Sequence, residues 1–187
     1  MRPERVLGIA LVLIVVAAAA VGVWIALGSG TNAVPADGGT GPMLASPPAG
    51  EPARIERVID GDTVVVDLDG RRERVRYIGV DAPELANAEA GIAAECWGQE
   101  ARQANERLVD DAEVLLERDV SDRDRFGRLL RHVWVSEDGG WRLAAEELVA
   151  IGAVEARAYP PDTARDGELD RAERAARRDG RGLWGGC

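Results

Sequence analysis

The chain of 187 residues is long enough for one folded domain with additional segments. Its 23 basic residues, all arginine, stand against 33 aspartates and glutamates. The resulting net charge of −10 argues against tight non-specific binding of nucleic acid, which normally needs a basic surface. The single histidine, His132, excludes two-histidine phosphodiester cleavage, and with only two cysteines the chain has too few ligands for a zinc site.

The N-terminal segment joins a basic start to a long apolar run. Arg2 and Arg5 lie in residues 1–5, and residues 6–27 contain no charged side chain. About 20 apolar residues span a bilayer, whereas the apolar core of a cleavable signal usually has about 7–15. We therefore expect residues 6–27 to form an uncleaved transmembrane signal anchor at the cell membrane, with residues 1–5 in the cytoplasm and the rest outside it. Cleavage after Val34-Pro35-Ala36, which would give a secreted protein, is the alternative.

Residues 28–53 are rich in glycine, proline, alanine and serine and contain few large apolar side chains. This composition predicts a flexible linker. The folded domain is expected to cover residues 54–187. It carries 21 arginines against 30 acidic residues, a net charge of −9, so a basic cleft would have to lie within an acidic shell.

Two β-branched runs and the dipeptide between them predict a β-hairpin. The strands cover residues 63–68 and 72–79, and Asp69-Gly70 is a strong signal for a two-residue turn. With this turn, Asp62 lies beside Arg76 at the open end of the hairpin. A carboxylate and a guanidinium therefore meet at one end of one hairpin, as they would in a functional site.

The segment Asp81-Ala82-Pro83-Glu84 follows this hairpin and brings two more carboxylates to the same end. Two interpretations are open. An aspartate, a proline and a glutamate at this spacing are typical of a helix N-terminus. Alternatively, both carboxylates belong to the cluster that Asp62 and Arg76 begin.

The remaining pattern predicts a small barrel with appended helices, an α+β fold. Further strands are predicted at residues 54–59, 113–118 and 129–135. Helices are predicted at residues 98–111, 143–151 and 165–178.

The order of several motifs closely resembles the staphylococcal nuclease (thermonuclease) family. The motifs are Asp-Gly-Asp-Thr-Val at 60–64, Val-Arg-Tyr-Ile-Gly-Val-Asp-Ala-Pro-Glu at 75–84, Cys-Trp-Gly-Gln-Glu-Ala at 96–101, Asp-Arg-Phe-Gly-Arg at 124–128 and Gly-Leu-Trp at 182–184. The resemblance extends from about Arg54 to Trp184. It implies an oligonucleotide/oligosaccharide-binding (OB) fold, a barrel of five strands with three helices.

Carboxylates and arginines in this arrangement suit metal-assisted hydrolysis of phosphodiesters. A hard cation prefers oxygen ligands, which Asp62, Asp81 and the backbone carbonyl of Ala82 can supply. Pro83 favours an extended conformation at Ala82 and so gives this carbonyl a fixed direction. The family resemblance implies Ca²⁺ as the ion at Asp62 and Asp81.

Three further residues are candidates for the catalytic steps. Glu84 is the candidate general base for the attacking water, and Arg76 and Arg128 can each bind phosphate oxygens through a planar fork. The resemblance implies the same three roles. For Arg128, a structural salt bridge to Asp122 or Asp124 is the alternative.

The candidate substrate-binding residues depart in part from the family pattern. Phe126, which follows Arg125, stands where the family's type member has a tyrosine. Only Tyr159 is available near the family's usual pair of nucleotide-stacking tyrosines. Ala82 replaces a threonine, which leaves its carbonyl available. We expect an altered base preference or weaker binding rather than loss of the chemistry.

Cys96 and Cys187 are the only cysteines. Outside the cytoplasm two cysteines favour a disulfide, which would tie the C-terminal tail to the start of the first helix. Two buried free thiols are the alternative.

Two functions from different classes follow. The first is a monomeric endonuclease, tethered to the membrane and dependent on calcium, that acts on DNA and RNA. The second is a catalytically silent OB-fold module that binds nucleic acid or protein. Retention of the glutamate and both arginines favours the first, whereas the acidic composition favours the second.

Overall fold

The computed structural model of the chain describes residues 43–89, 91–110 and 112–187. The predicted anchor at residues 6–27 and the first part of the predicted linker lie outside these residues. Within them, no helix is long and apolar enough to cross a membrane.

The described residues form eight strands and four helices. The strands are β1 (Glu51–Val58), β2 (Thr63–Leu68), β3 (Arg71–Tyr77), β4 (Val80–Asp81), β5 (Glu113–Glu117), β6 (Leu129–Glu137), β7 (Gly140–Leu143) and β8 (Glu155–Ala156). The helices are α1 (Gly98–Val109), α2 (Ala144–Ala150), α3 (Asp166–Arg178) and α4 (Leu183–Gly186).

Five strands close into a barrel in the order β3-β2-β1-β5-β6, and a direct pairing of β3 with β6 completes the ring. The closing pair is parallel, with Val75 opposite Leu129 and Tyr77 opposite Arg131. Strand β7 extends the sheet beyond β6, and β4 pairs with β8 in a separate two-stranded sheet. The five-stranded barrel with the three longer helices α1, α2 and α3 confirms this part of the predicted fold, to which the short α4 is an addition.

The β2–β3 hairpin forms as predicted because its turn residues accept left-handed backbone angles. Asp69 and Gly70 have φ values of 52° and 77°, the conformation of a type I′ turn. Thr63 then lies opposite Arg76, and the Tyr77 amide donates to the Asp62 carbonyl at 2.9 Å. The turn thereby places Asp62 beside Arg76.

The core lies inside the barrel and beneath the helices. Its fully buried side chains include Val64, Val66 and Val75 from the hairpin and Leu148 and Leu169 from α2 and α3. These residues pack the helices against the barrel. The packing fixes the strand ends at which Asp62, Arg76 and Asp81 lie.

Two further details differ from the predictions. Strand β1 begins at Glu51 rather than Arg54, because Glu51 pairs with Leu116 of β5. No helix begins at Asp81: this residue ends β4, opposite Glu155, and the segment after it is irregular. The helix N-terminus interpretation of Asp81 to Glu84 is therefore wrong.

Cys96 and Cys187 form a disulfide, as predicted. It joins the residue two before α1 to the residue after α4.

Candidate active site

One cleft of about 640 Å³ collects every residue that the sequence singled out for chemistry or substrate binding. Its walls come from the open end of the hairpin, the segment after β4, the loop before β6 and the segment after β8. The predicted residues that line it are Asp62, Arg76, Asp81, Ala82, Glu84, Arg125, Phe126, Arg128 and Tyr159.

Arg76 lies between the two predicted metal ligands. One terminal nitrogen of its guanidinium contacts Asp62 Oδ2, and the other lies 2.9 Å from Asp81 Oδ1. The side chains of Arg76 and Asp62 are almost fully buried, whereas that of Asp81 is partly exposed. The Asp62 and Asp81 carboxylates therefore both contact the positively charged guanidinium of Arg76.

Local hydrogen bonds orient the buried Asp62. Its Oδ1 accepts the Thr63 hydroxyl at 3.0 Å, and its Oδ2 accepts the Ala82 amide at 2.7 Å. Burial raises the pKa of Asp62 to about 7, although the charge of Arg76 opposes this rise. A cation near Asp62 would favour its ionised form.

Glu84 lies at the exposed rim of the same cleft. Partial burial raises its pKa, and the nearby carboxylates of Asp60, Glu95 and Asp81 add to the increase. A carboxylate with a raised pKa is a stronger base than an ordinary glutamate. The environment of Glu84 therefore suits the predicted role of general base.

The structure supports part of the alternative reading for Arg128. Its Nε donates to Asp124 Oδ2 at 2.7 Å, so the predicted structural salt bridge exists. Burial would raise the pKa of Asp124, but hydrogen bonds from the Arg128 side chain and from the Arg128 and Phe126 amides outweigh burial and lower it. Of the three guanidinium nitrogens of Arg128, only Nε makes a hydrogen bond within the described residues. Both terminal nitrogens are left for a phosphate in the cleft.

Two exposed aromatic rings stand in the cleft with arginines beside them. Phe126 is 59% exposed, and the guanidinium carbon of Arg125 lies 4.7 Å from its ring centroid. Tyr159 is 42% exposed, with Arg157 at 5.6 Å from its ring. Exposed rings flanked by cations are suited to stacking against bases beside phosphates.

Sequence reasoning missed two residues that line the cleft, Asp60 and Asp162, and a third that contacts the cleft residue Asp81, Arg157. Asp60 accepts the Asp62 amide at 3.0 Å, and Asp162 accepts the amides of Val120 and Ser121. Arg157 binds Asp81, which it reaches only because β8 pairs with β4. The Asp60-Gly61-Asp62 spacing offered a signal for the first, but no local pattern reveals the other two.

The donor atoms fit a hard cation that is also bound by substrate or water. Asp62, Asp81 and the Ala82 carbonyl supply oxygen only, the ligand type that Ca²⁺ prefers. Within the described residues no group of three or more acidic, histidine or cysteine side chains could hold a metal by itself. Water and phosphate oxygens would therefore have to complete such a site.

Comparisons with known proteins find one matching family model and several similar proteins. A sequence model of the family described as "Staphylococcal nuclease homologue" matches residues 74–186. Thermonuclease of Staphylococcus hyicus is 32% identical over 131 residues, 70% of this chain and 74% of that protein. Endonuclease YncB of Bacillus subtilis (strain 168) is 34% identical over 132 residues, 70% of this chain and 60% of that protein. Protein ParB of Escherichia coli is 37% identical over 147 residues, 76% of this chain and 77% of that protein.

Proposed function

This chain belongs to the staphylococcal nuclease family, and from this membership we infer that it is a nuclease that hydrolyses phosphodiester bonds. We further propose that it is a calcium-dependent endonuclease acting on DNA and RNA outside the cytoplasm. The observation that carries the proposal is the convergence of Asp62, Asp81, Glu84 and two arginines in one cleft. This complete set favours catalysis over a silent binding module.

Each side chain has a role that follows from its position. Asp62, Asp81 and the Ala82 carbonyl would hold Ca²⁺, which, when bound, supplies positive charge to a phosphate oxygen. Glu84 at the rim accepts a proton from the attacking water.

The arginines act on the phosphate. The charge of Arg76 is held at the base of the cleft, where it attracts the scissile phosphate. Arg128 uses its terminal nitrogens to bind phosphate oxygens while Asp124 holds Nε. Donors fixed in this way stabilise the charge that develops in the transition state.

Membrane tethering is a separate proposal. It is supported by the uncharged run at residues 6–27 and by the disulfide, a bond that persists mainly outside the cytoplasm. Fractionation of cells followed by mass determination would identify either an intact chain in the membrane or a shorter, secreted one.

The calcium requirement is tested with the full-length chain and a labelled single-stranded DNA. We expect cleavage with Ca²⁺, loss of cleavage in chelator and recovery when Ca²⁺ is restored. Mg²⁺ should support the reaction poorly, because it demands near-octahedral geometry. Equal cleavage with and without chelator would remove the metal from the proposal, and no cleavage under any condition would refute the nuclease function.

A further inference from the structure

The loop between β4 and α1 is closed by a pair of hydrogen bonds at Glu84. The Glu84 amide donates to Glu95 Oε2 at 3.0 Å, and the Glu95 amide donates back to the Glu84 carbonyl at 2.9 Å. Glu95 directly precedes Cys96 of the disulfide. The backbone of the predicted general base is thus bound to the residue next to a covalent cross-link.

Packing on the other side of the cross-link is tight. A Cβ added to Gly98 would lie 2.7 Å from the Glu84 carbonyl oxygen, and one added to Gly186 would lie 2.1 Å from the Trp97 ring. The C-terminal segment, Trp97 and the Glu84 backbone therefore form a continuous set of close contacts. A shift of Cys96 relative to Cys187 would be transmitted along it.

Burial does not hold Glu95 in place. Residues 91–96 are all exposed, including Glu95 and Cys96 themselves. An exposed segment with few apolar contacts opens readily unless another bond restrains it. The Gly98 amide donates to the Glu95 carbonyl at 3.3 Å, and the disulfide adds a covalent restraint at the next residue.

Building on the proposed nuclease function, we propose that Glu95 is a positioning residue for Glu84 and that the Cys96–Cys187 disulfide keeps it in position. Reduction by a dithiol transfers two electrons and two protons to the disulfide and leaves two thiols, while the dithiol becomes a cyclic disulfide. Glu95 is then free to move away from Glu84. The enzyme is fully active only in an oxidising compartment.

The test compares full-length variants in calcium at a temperature well below their melting. Replacing both cysteines by serine should lower kcat about 10-fold and leave KM within about twofold, because misplacement by about 1 Å can cost up to about 100-fold in rate. Glu95→Ala, with the disulfide intact, should give the same loss. Glu95→Gln keeps an acceptor oxygen and should restore kcat to within about threefold. Glu89→Ala, at an exposed position of the same loop, is the matched control and should behave like wild type.

Combining Glu95→Ala with both serine substitutions shows whether the two act together. We expect no further loss of kcat, because the disulfide acts through Glu95. Additive losses, or wild-type kcat in either parent variant, would overturn the proposal. If the variant with both cysteines replaced by serine fails to fold, the kcat of Glu95→Ala alone tests the positioning role of Glu95.

Amide hydrogen exchange separates this inference from the nuclease function. Reduction should accelerate exchange at the Glu84 and Glu95 amides whether or not the protein cleaves nucleic acid. Unchanged exchange would overturn the positioning role. An inactive wild-type protein whose Glu84 amide responds to reduction would refute only the nuclease function.

Discussion

At the scale of single residues, the cleft separates two kinds of carboxylate. Asp62 is buried and held by Thr63, Arg76 and the Ala82 amide, whereas Glu84 is exposed and, among the residues that the structure describes, is held through its backbone. A ligand for a metal benefits from the first setting, because its oxygens are fixed. A general base benefits from the second, because its side chain can reach water.

Replacement of Glu84 tests the base directly. We expect Glu84→Gln to lower kcat about 10²-fold or more with little change in KM, because general-base catalysis typically contributes about 10²–10⁴-fold and the amide keeps the shape. Steady-state kinetics on single-stranded DNA would measure both constants. The control is Glu89→Gln, an exposed site in the same loop, and undiminished kcat in Glu84→Gln would assign the base elsewhere.

Replacement of Arg128 tests whether this residue contributes to catalysis or only forms the salt bridge with Asp124. Arg128→Lys keeps the charge but loses the planar fork, so we expect kcat to fall roughly 10²-fold, equivalent to about 3 kcal/mol of transition-state stabilisation. A merely structural ion pair at this partly exposed position is worth about 0–1 kcal/mol. Near-wild-type kcat in Arg128→Lys, measured by single-turnover kinetics, would remove Arg128 from the catalytic residues.

At the scale of secondary-structure elements, the tight turn of the β2–β3 hairpin sets the register that brings Asp62 to Arg76. Gly70 in this turn has a φ of 77° and open space where a Cβ would lie. Gly167 near the start of α3 also has open space but an ordinary backbone conformation. The two glycines therefore differ in backbone conformation rather than in crowding.

This difference predicts opposite effects of the same substitution. Gly70→Ala should lower the free energy of unfolding by about 1–2 kcal/mol, because an L-residue is strained in the left-handed region. Gly167→Ala should raise it by about 0.4–1 kcal/mol, because alanine reduces the entropy of the unfolded chain at no steric cost. Urea denaturation of both variants measures the two values, and a stabilised Gly70→Ala would contradict the turn assignment.

The elements that sequence patterns predicted are those with local causes. The hairpin follows from Asp69-Gly70, and α1 follows from its apolar spacing, so both arise within a few residues. The two-residue strands β4 and β8 have no such signal, since Val80 pairs with Ala156 far along the chain.

The same distinction applies to the candidate site. Its aspartates, glutamate and two arginines lie in contiguous motifs and were predicted with their neighbours. Arg157 reaches Asp81 only through a long-range pairing, and Asp162 is identified only by the amides of Val120 and Ser121 that it accepts. Contacts between segments that are far apart in the sequence produce no periodic pattern from which they could be predicted.

At the scale of the whole molecule, much of the positive charge is neutralised away from the cleft. Arginines outside it pair with acidic side chains, as in Arg72–Glu56, Arg123–Glu73, Arg131–Asp122 and Arg165–Glu117. The cleft itself contains Arg76, Arg125 and Arg128. The same lining includes carboxyl groups, so binding of phosphate would depend on these individual arginine donors and on a bound cation rather than on a basic surface.

A weak dependence on salt should follow from this distribution. Each phosphate contact on a single strand contributes a slope of about −0.7 in log K against log salt, so three arginines limit the slope to about −2. The affinity of the Glu84→Gln variant for single-stranded DNA, measured at several salt concentrations, gives this slope. Arg72→Ala, outside the cleft, should leave it unchanged, and a slope much steeper than −2 would indicate a wider basic surface.

Stability should also depend on pH through His132, which is buried among Glu117, Asp119 and Arg165. Burial lowers its pKa from the ordinary 6.5, with Arg165 adding to the effect and the two carboxylates opposing it. Because its folded-state pKa is below its unfolded-state pKa, the unfolded chain takes up more protons as the pH falls below 6.5. His132 therefore reduces stability on acidification, by up to about 1.4 kcal/mol per pH unit.

Comparison with His132→Gln isolates this contribution. Urea denaturation of both proteins between pH 7.5 and 5, a range of about 2.5 pH units around the ordinary histidine pKa, gives two slopes of stability against pH. We expect a less steep loss on acidification in His132→Gln, even if glutamine lowers stability at every pH. Parallel slopes would show that His132 does not titrate on unfolding.

The parallel pairing of β3 with β6 also determines when the enzyme can become active during folding. The pairing of β2 with β3 joins residues that are close in the sequence, and hairpins form in about 1–10 μs. Its partner across the closing seam, with Leu129 opposite Val75, comes from a distant part of the chain. Such non-local pairings form late, and barrels rich in them fold in about milliseconds to seconds. Arg128 lies next to this seam, so a partly folded chain that already holds Asp62 beside Arg76 still lacks the opposite wall of its cleft. Cleavage of nucleic acid should therefore begin only at barrel closure, and folding intermediates should be harmless to the cell that makes them.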